Sequence, residues 1–373
     1  MSFKPHLEAE ATKDGSSDTM EAVEISLLRK SYYELTLRYN QLLQSSATPQ
    51  DHFPQILCKQ DMKDREKVPL QKCILLNEFS RENYEPVYSI SIVPHDKSIL
   101  FGNFYGGVEV FRSNFLHFQT LFHHAACITD ISVSASGEYL ATSSLDRSIC
   151  LFSKESATQL DLVYRFEFKA FIHAIAFYKD FLFCAGDDGM QMCDIVHRRT
   201  DVVHTDYVIY CMQCIGDHII AGTRDGRLLV FCIRSNGVVK LERVKLLSTE
   251  DVCILGVACA MGQDAQTFYV SVVTDSDDLH MFTFDRNSTL FSNHRTYHNN
   301  RTDGLPLSPA IYTSENMVDN NFISAVPTLE GLRVYDNEKC IFRDENDCRA
   351  VCICENKLYV AYNDKHARVY GLN

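Results

Sequence analysis

The chain has 373 residues, of which 46% are hydrophobic and 23% are charged, as is typical of a globular protein. Its formal net charge of −13 argues against a protein whose main task is to bind nucleic-acid phosphates, because that contribution needs a basic surface. Nucleic acid is therefore expected to be at most an indirect partner. No apolar run reaches the roughly 18 residues that cross a bilayer, and the polar N-terminus lacks a signal-peptide core, so no membrane partner is expected.

The 15 cysteines are an odd number, and most of them lie inside apolar, strand-like runs. In such runs a cysteine behaves as a small hydrophobic residue. We therefore predict that they are reduced and structural, in the nucleus or alternatively in the cytoplasm.

Residues 1–19 are polar and are predicted to be disordered. Residues 20–45 carry apolar side chains at intervals of three and four, which predicts an amphipathic α-helix with a stripe of three heptads. The helix either binds a partner or oligomerises, or it lies on the side of the following domain, and the pattern favours neither reading. Residues 46–66 are predicted to be a linker. The helical stripe consists of Ile25, Leu28, Tyr32, Leu35, Tyr39 and Leu42.

From residue 67 to 373 the pattern changes to short strands. Residues 70–79 form a strand candidate that precedes the first full repeat. Residues 124–152 then contain apolar-alternating runs at 128–133, 139–142 and 148–152, separated by short polar turns, which predicts an antiparallel meander. Similar units recur at 87–111, 172–195, 204–231, 254–284, 310–336 and 350–370.

This meander resembles a WD40 repeat. His124 lies four residues before the first apolar anchor, where that family has its histidine, and Thr142, Asp146 and Phe152 match the strand hydroxyl, the turn aspartate and the terminal aromatic position. The resemblance implies that the aspartate accepts hydrogen bonds from the histidine ring and turn amides while the aromatic covers the group. The matching residues predicted in later repeats are His204, Asp225, Phe231, Asp364 and Tyr370.

Seven repeats at a spacing near the 40–45 residues of a WD40 blade predict an all-β, seven-bladed WD40 β-propeller with an N-terminal α-helix. The chain contains no Trp, so no repeat has a literal Trp-Asp pair. We expect the strand at 70–79 to close the ring against the last strands of the chain, which removes a free edge.

Motifs for catalysis or cofactor binding are missing from the sequence. There is no P-loop, GxSxG, HExxH or strand-associated GxGxxG pattern, so we expect no cofactor and no enzymatic activity. Cys211 and Cys214 have CxxC spacing, but inside a strand they face opposite sides, which disfavours redox or metal chemistry. Residues 285–308 are predicted to be a long loop in which basic residues alternate with aromatics, a composition that also suits peptide or single-strand binding.

The family resemblance implies a rigid platform for other protein subunits. Residues 101–106, 186–188 and 204–208 are also similar to the THO complex subunit 6 family of the mRNA-export machinery, which implies a nuclear scaffold. One alternative is a ubiquitin-ligase substrate receptor, although the stretches 193–196 and 335–338 lack the arginine of a Trp-Asp-x-Arg box. The other alternative is an enzyme built around the propeller channel.

Overall fold

The computed structural model describes residues 73–81, 86–156, 159–204, 206–234, 239–247, 252–262, 264–298, 300, 307–313, 322–336, 339–363 and 366–372. The predicted disordered segment, helix and linker, at 1–19, 20–45 and 46–66, lie outside these residues. The helical stripe is therefore an expectation only.

All regular structure in the described residues is β-strand. In chain order, the strands are β1 Cys73–Ser80, β2 Val87–Ile92, β3 Ile99–Asn103, β4 Gly107–Phe111, β5 His117–Phe122, β6 Ile128–Val133, β7 Tyr139–Ser144, β8 Ser148–Ser156, β9 Gln159–Glu167, β10 Ile172–Tyr178, β11 Phe181–Gly186, β12 Gly189–Asp194, β13 Arg199–His204, β14 Ile209–Ile215, β15 His218–Thr223, β16 Arg227–Ile233, β17 Val239–Leu246, β18 Ile254–Met261, β19 Thr267–Thr274, β20 Leu279–Asp285, β21 Leu290–Tyr297, β22 Ala310–Tyr312, β23 Ile323–Thr328, β24 Gly331–Tyr335, β25 Cys340–Asp344, β26 Cys348–Cys354, β27 Lys357–Tyr362 and β28 His366–Leu372.

Within the described chain, these strands form seven four-stranded antiparallel sheets, which we call blades one to seven and whose strands we label a to d from the channel outward. The a strands β2, β6, β10, β14, β18, β22 and β26 contact one another in succession, and β26 also contacts β2. This closed succession is a β-propeller, as the repeat pattern predicted.

Blade seven takes its d strand from the other end of the chain. β1 pairs with β28, with Cys73 opposite Leu372 and Ser80 opposite His366. Phe79 on β1 also packs against Phe111 of blade one, with 5.4 Å between ring centroids. The predicted closing strand is therefore confirmed, with its bounds shifted by a few residues to Cys73–Ser80.

In blades one to six, the sequence pattern revealed three strands and missed the fourth. The d strand of blade two, β9, pairs with β8 along nearly its whole length. The predicted loop at 285–308 was wrong in its central part, because β21 is the d strand of blade five. Both strands are largely exposed, so they lack the apolar alternation that marks a half-buried strand.

The a strands all run in the same direction, as hydrogen bonds between neighbouring blades show. Asp130 accepts from the amide of Ile175, and the Ser132 hydroxyl accepts from the amide of Phe177, so the two strands advance together. Consequently all a strands begin, and all b strands end, at one face of the ring. We call this the top face and the opposite one the bottom face.

The turn between strands b and c is fastened to the top of its own blade by a repeated backbone bond. The amide of the first turn residue donates to a carbonyl just before strand a. The pairs are Phe104–Pro86, Leu145–Cys127, Asp187–Phe171, Arg224–Val208, Asp275–Cys253 and Asn363–Asp347, with distances of 3.0 to 3.2 Å.

The core lies between adjacent blades rather than at one centre. Phe152, Leu140 and Cys150 of blade two pack with Val108 and Val110 of blade one in one such apolar layer. Each blade buries both faces against its neighbours, which explains why so many b and c strands are buried along their whole length.

Candidate protein-interaction face

The polar group predicted in blade two is assembled at the top face. His124 Nε2 lies 2.8 Å from Thr142 Oγ1, and His124 Nδ1 lies 3.1 Å from Asp146 Oδ2. Asp146 also accepts from the amides of Ala125, at 2.9 Å, and Ser148, at 3.0 Å. The structure thus brings together His124, Thr142 and Asp146 and fastens the loop before strand a to the turn between strands b and c.

Asp146 is held as a carboxylate by these donors. Burial alone would raise its pKa, but hydrogen bonds from His124, Ser148 and Ala125 outweigh burial and hold the pKa below its ordinary value. Arg165 adds a guanidinium contact, with 3.2 Å between its Nη2 and Asp146 Oδ2. Sequence reasoning missed Arg165 because it lies on β9, the d strand that the repeat pattern did not reveal.

The predicted aromatic positions serve the core. Phe152 is fully buried in the apolar layer between blades one and two, and its ring packs against the ring of His123 at 5.3 Å. Phe231 is buried between blades three and four. Tyr370 is buried between blades six and seven, and its hydroxyl donates to Asp344.

Asp225 lies in the equivalent turn of blade four, but its surroundings differ from those of Asp146. It accepts from the Thr223 hydroxyl at 2.5 Å and pairs with Arg227 Nε at 2.7 Å, and it is exposed. His204 is the last residue of β13, in the position before blade four that was expected. Asp364 lies outside the described residues.

A second, half-buried carboxylate joins blades six and seven, and sequence reasoning did not find it. Asp344 accepts from Tyr362 at 2.6 Å and from Arg368 Nη1 at 2.7 Å, in addition to Tyr370. Burial would raise its pKa, but the two tyrosine hydroxyls and the guanidinium lower it below the ordinary value. Its sequence signal is weak, because β25 is another short d strand.

The top face carries a set of exposed apolar side chains in three consecutive blades. Tyr105 lies in the turn between strands b and c of blade one, and Leu145 lies in that of blade two. Phe122 ends strand d of blade one, and Phe171 precedes strand a of blade three. We call these four the top-face apolar residues; they are between 38% and 68% exposed. Sequence reasoning missed them because a side chain in a turn has no periodic pattern.

Further aromatic rings connect this face to the mouth of the channel. The ring centroids of Phe104 and Tyr105 lie 5.4 Å apart, and those of Phe104 and Tyr88 lie 5.8 Å apart. In blades three and four, His173 packs against Tyr210 at 4.9 Å and bonds to Asp187 at 3.0 Å. Aromatic side chains that hold one another in place lose little conformational entropy on binding, which suits a recognition surface.

The a strands line a central cavity of about 380 Å³. Among the described residues that line it, Asp130 is the single carboxylate and His173 the single histidine. Burial raises the pKa of Asp130 to about 7 despite hydrogen bonds from the amides of Ile175 and Ile131 and from the Ser89 hydroxyl. Since those donors come from three neighbouring blades, Asp130 connects the blades at the channel wall.

The CxxC pair lies on β14, as predicted. Burial raises the pKa of both thiols, of Cys214 to about 12 and of Cys211 further. Protonated thiols are poor nucleophiles, so these two residues act as apolar wall of the channel.

A family model described as Vps42 beta-propeller, of the Vps41 type, matches residues 83–196. The match spans blades one and two and the first three strands of blade three. The seven four-stranded sheets and their closed succession decide the fold type. The described chain is a seven-bladed β-propeller. No curated protein matches the chain.

The propeller fold is one that generally serves as a non-enzymatic scaffold for protein interactions. Among the described residues, no helix has the length and apolar character needed to cross a bilayer.

Proposed function

We propose that this propeller is a non-catalytic scaffold subunit that binds other protein subunits through the top face of blades one to three. The observation that carries the proposal is the set of top-face apolar residues, Tyr105, Phe122, Leu145 and Phe171, which are exposed on one face of a rigid ring. Exposed aromatic and aliphatic side chains of this kind are typical anchors at protein interfaces.

The scaffold around these residues is rigid, which supports a platform role. In blades one to three, the turn between strands b and c is fastened to its own blade by a backbone hydrogen bond. In blade two, the His124–Asp146 pair adds a buried polar clamp directly beside Leu145. A partner therefore meets side chains whose backbone is already ordered, which reduces the entropic cost of binding.

The test compares two double variants that remove equal numbers of exposed apolar residues from opposite faces. Tyr105→Asp with Phe171→Asp changes the top face, and Leu116→Asp with Val196→Asp changes bottom-face turns where both residues are more than 60% exposed. We expect the top-face variant to lose stoichiometric partners in quantitative affinity purification, while the bottom-face variant retains them. Equal melting temperatures would show that both variants are folded. Equal partner recovery by the two variants contradicts the proposed face.

We further propose that the protein acts in the nucleus, in the mRNA-export machinery. This proposal is supported by the similarity of residues 101–106 and 186–188 to the THO complex subunit 6 family, since both segments include a top-face turn between strands b and c. Copurification of mRNA-export subunits with the tagged protein from nuclear extract is the expected outcome. If the tagged protein is found only in the cytoplasm with unrelated partners, the nuclear role is contradicted, while the scaffold role still stands.

A further inference from the structure

Three different metal-binding side chains meet at the bottom edge of blade four. The ligand atoms of His218, Cys232 and Glu242 all lie within 4.8 Å of one another. His218 begins strand b of this blade, Cys232 lies directly opposite it near the end of strand c, and Glu242 lies on strand d. Three strands of one rigid sheet therefore supply an imidazole, a thiol and a carboxylate.

A β-bulge places Glu242 in this group. The pairing of β16 with β17 shifts register so that Val230 is opposite Arg243 while Phe231 is opposite Leu241, which leaves Glu242 as the extra residue. An extra residue of this kind redirects a side chain that would otherwise follow the strand alternation. Here the carboxylate reaches the histidine, with 3.5 Å between Glu242 Oε2 and His218 Nε2.

The other ring nitrogen of His218 is already oriented. Its Nδ1 lies 2.7 Å from Asp217 Oδ1, and Asp217 is in turn paired with Arg286 Nη2 at 2.5 Å. Metal-binding histidines commonly bond to a carboxylate through the nitrogen that does not face the metal. This contact directs Nε2 toward the space shared with Cys232 and Glu242.

The surroundings combine a closed side with an open one. The His218 side chain is 5% exposed and is walled by the rings of Phe268, at 5.2 Å, and Phe284, at 6.2 Å, from blade five. The Glu242 side chain is 27% exposed, so an ion can enter from its side and keep one position for water or a partner's ligand.

We propose that His218, Cys232 and Glu242 bind one Zn²⁺ ion, with Asp217 as a positioning residue. A nitrogen, sulfur and oxygen donor set suits zinc better than it suits magnesium or calcium, which prefer oxygen alone. On binding, the Cys232 thiol releases its proton to the buffer and the thiolate sulfur bonds to the ion. The thiolate and the carboxylate together balance the two charges of the metal, while Arg286 balances Asp217.

The test uses the purified full chain and Co²⁺ as a spectroscopic substitute for Zn²⁺. We expect about one equivalent of Co²⁺ to give a thiolate charge-transfer band in the near ultraviolet, and Zn²⁺ to displace it. Cys232→Ser should abolish the band. Glu242→Gln should weaken metal binding, and Asp217→Asn should weaken metal binding by about 10- to 100-fold. Cys340→Ser is the matched control, since Cys340 is also a half-buried strand cysteine.

The proposal is overturned if Cys232→Ser keeps the band with unchanged affinity, or if Cys340→Ser loses it equally, because thiols elsewhere would then account for the signal. It is also overturned if the wild type binds no Co²⁺ or Zn²⁺ at stoichiometric concentration, in which case His218 only contacts Asp217 and Glu242. Melting curves of each variant establish that the sheet is intact. Failure here leaves the scaffold role untouched, since the site lies on the opposite face.

Discussion

The backbone amide of Ile175 donates a hydrogen bond to Asp130 from the neighbouring blade, with 3.0 Å between N and Oδ2. Asp130 also accepts from the Ser89 hydroxyl of blade one at 3.3 Å. One side chain thus connects three consecutive blades at the channel wall. Because it is half-buried there and loses part of its hydration, its ionisation is coupled to the stability of the ring.

Asp130 makes stability depend on pH in a definite direction. Its pKa is about 7 in the folded protein, against an ordinary value of 3.8. Between these values the folded chain keeps a proton that the unfolded chain has lost, so this residue's contribution to stability falls as pH rises from about 4 to about 7. Asp130→Asn stays neutral, and the Ser89 hydroxyl can accept from its amide. The stability of the variant relative to wild type should therefore increase as pH rises from 5 to 8.

Urea unfolding of wild type and Asp130→Asn at both pH values measures this. The variant's unfolding free energy, relative to wild type, should rise by up to about 1.4 kcal/mol for each pH unit between pH 5 and the folded pKa near 7. Comparing the two proteins matters because burial lowers the pKa of His280 to about 4, which gives the opposite pH slope in part of this range. A difference that is the same at both pH values would contradict the assignment. Asp188→Asn, in an exposed turn, is the control.

Asp146 is expected to stabilise blade two through the buried clamp with His124. Asp146→Ala leaves the histidine ring and the amides of Ala125 and Ser148 without their acceptor, which should lower the unfolding free energy by about 1–3 kcal/mol. Chemical denaturation at pH 7 is the measurement. Asp188→Ala changes the equivalent but exposed turn position of blade three and should have little effect. If Asp146→Ala is as stable as wild type, the hydrogen bonds of Asp146 do not stabilise blade two and the prediction is wrong.

Ring closure is expected to depend on β1. Deleting residues 1–80 removes the strand that covers β28, leaving an unpaired edge and losing the contact of Phe79 with Phe111. This truncation should aggregate or melt many degrees below the full chain. Deleting residues 1–66 keeps β1 and should leave the melting temperature nearly unchanged. Differential scanning calorimetry separates the two, and similar melting of both truncations would show that closure by β1 contributes little.

The predicted N-terminal helix is expected to act in binding rather than in folding. Leu35→Asp with Leu42→Asp places two charges on its apolar stripe, so a partner that packs there should be lost while the melting temperature stays nearly unchanged. Lys30→Glu with Gln41→Glu alters the polar face and should retain the partner. Affinity purification and thermal melting are measured on both. A fall of many degrees in the stripe variant alone would show instead that the helix belongs to the propeller core.

Residues of the top face could be predicted from the sequence only where they belong to the motif that recurs in each repeat. His124, Thr142 and Asp146 could be found because each occupies a fixed offset from the apolar runs of its repeat. Arg165 and Asp344 could not, since both lie on d strands whose exposed faces break the alternation. The top-face apolar residues had no signal either, because turn positions become one surface only when the blades stand side by side.

The sequence by itself determined the repeat number, the antiparallel meander and the closing strand, because alternation at period two reports directly which residues are half buried. Only the tertiary structure decided which blades share Asp130, which turns face the same side, and how a bulge brings Glu242 to His218. The first two relationships arise because the blades pack side by side around the ring, and the third arises from a register shift within one sheet. The residues concerned lie 24 to 45 positions apart in the chain, so no local pattern encodes their contacts.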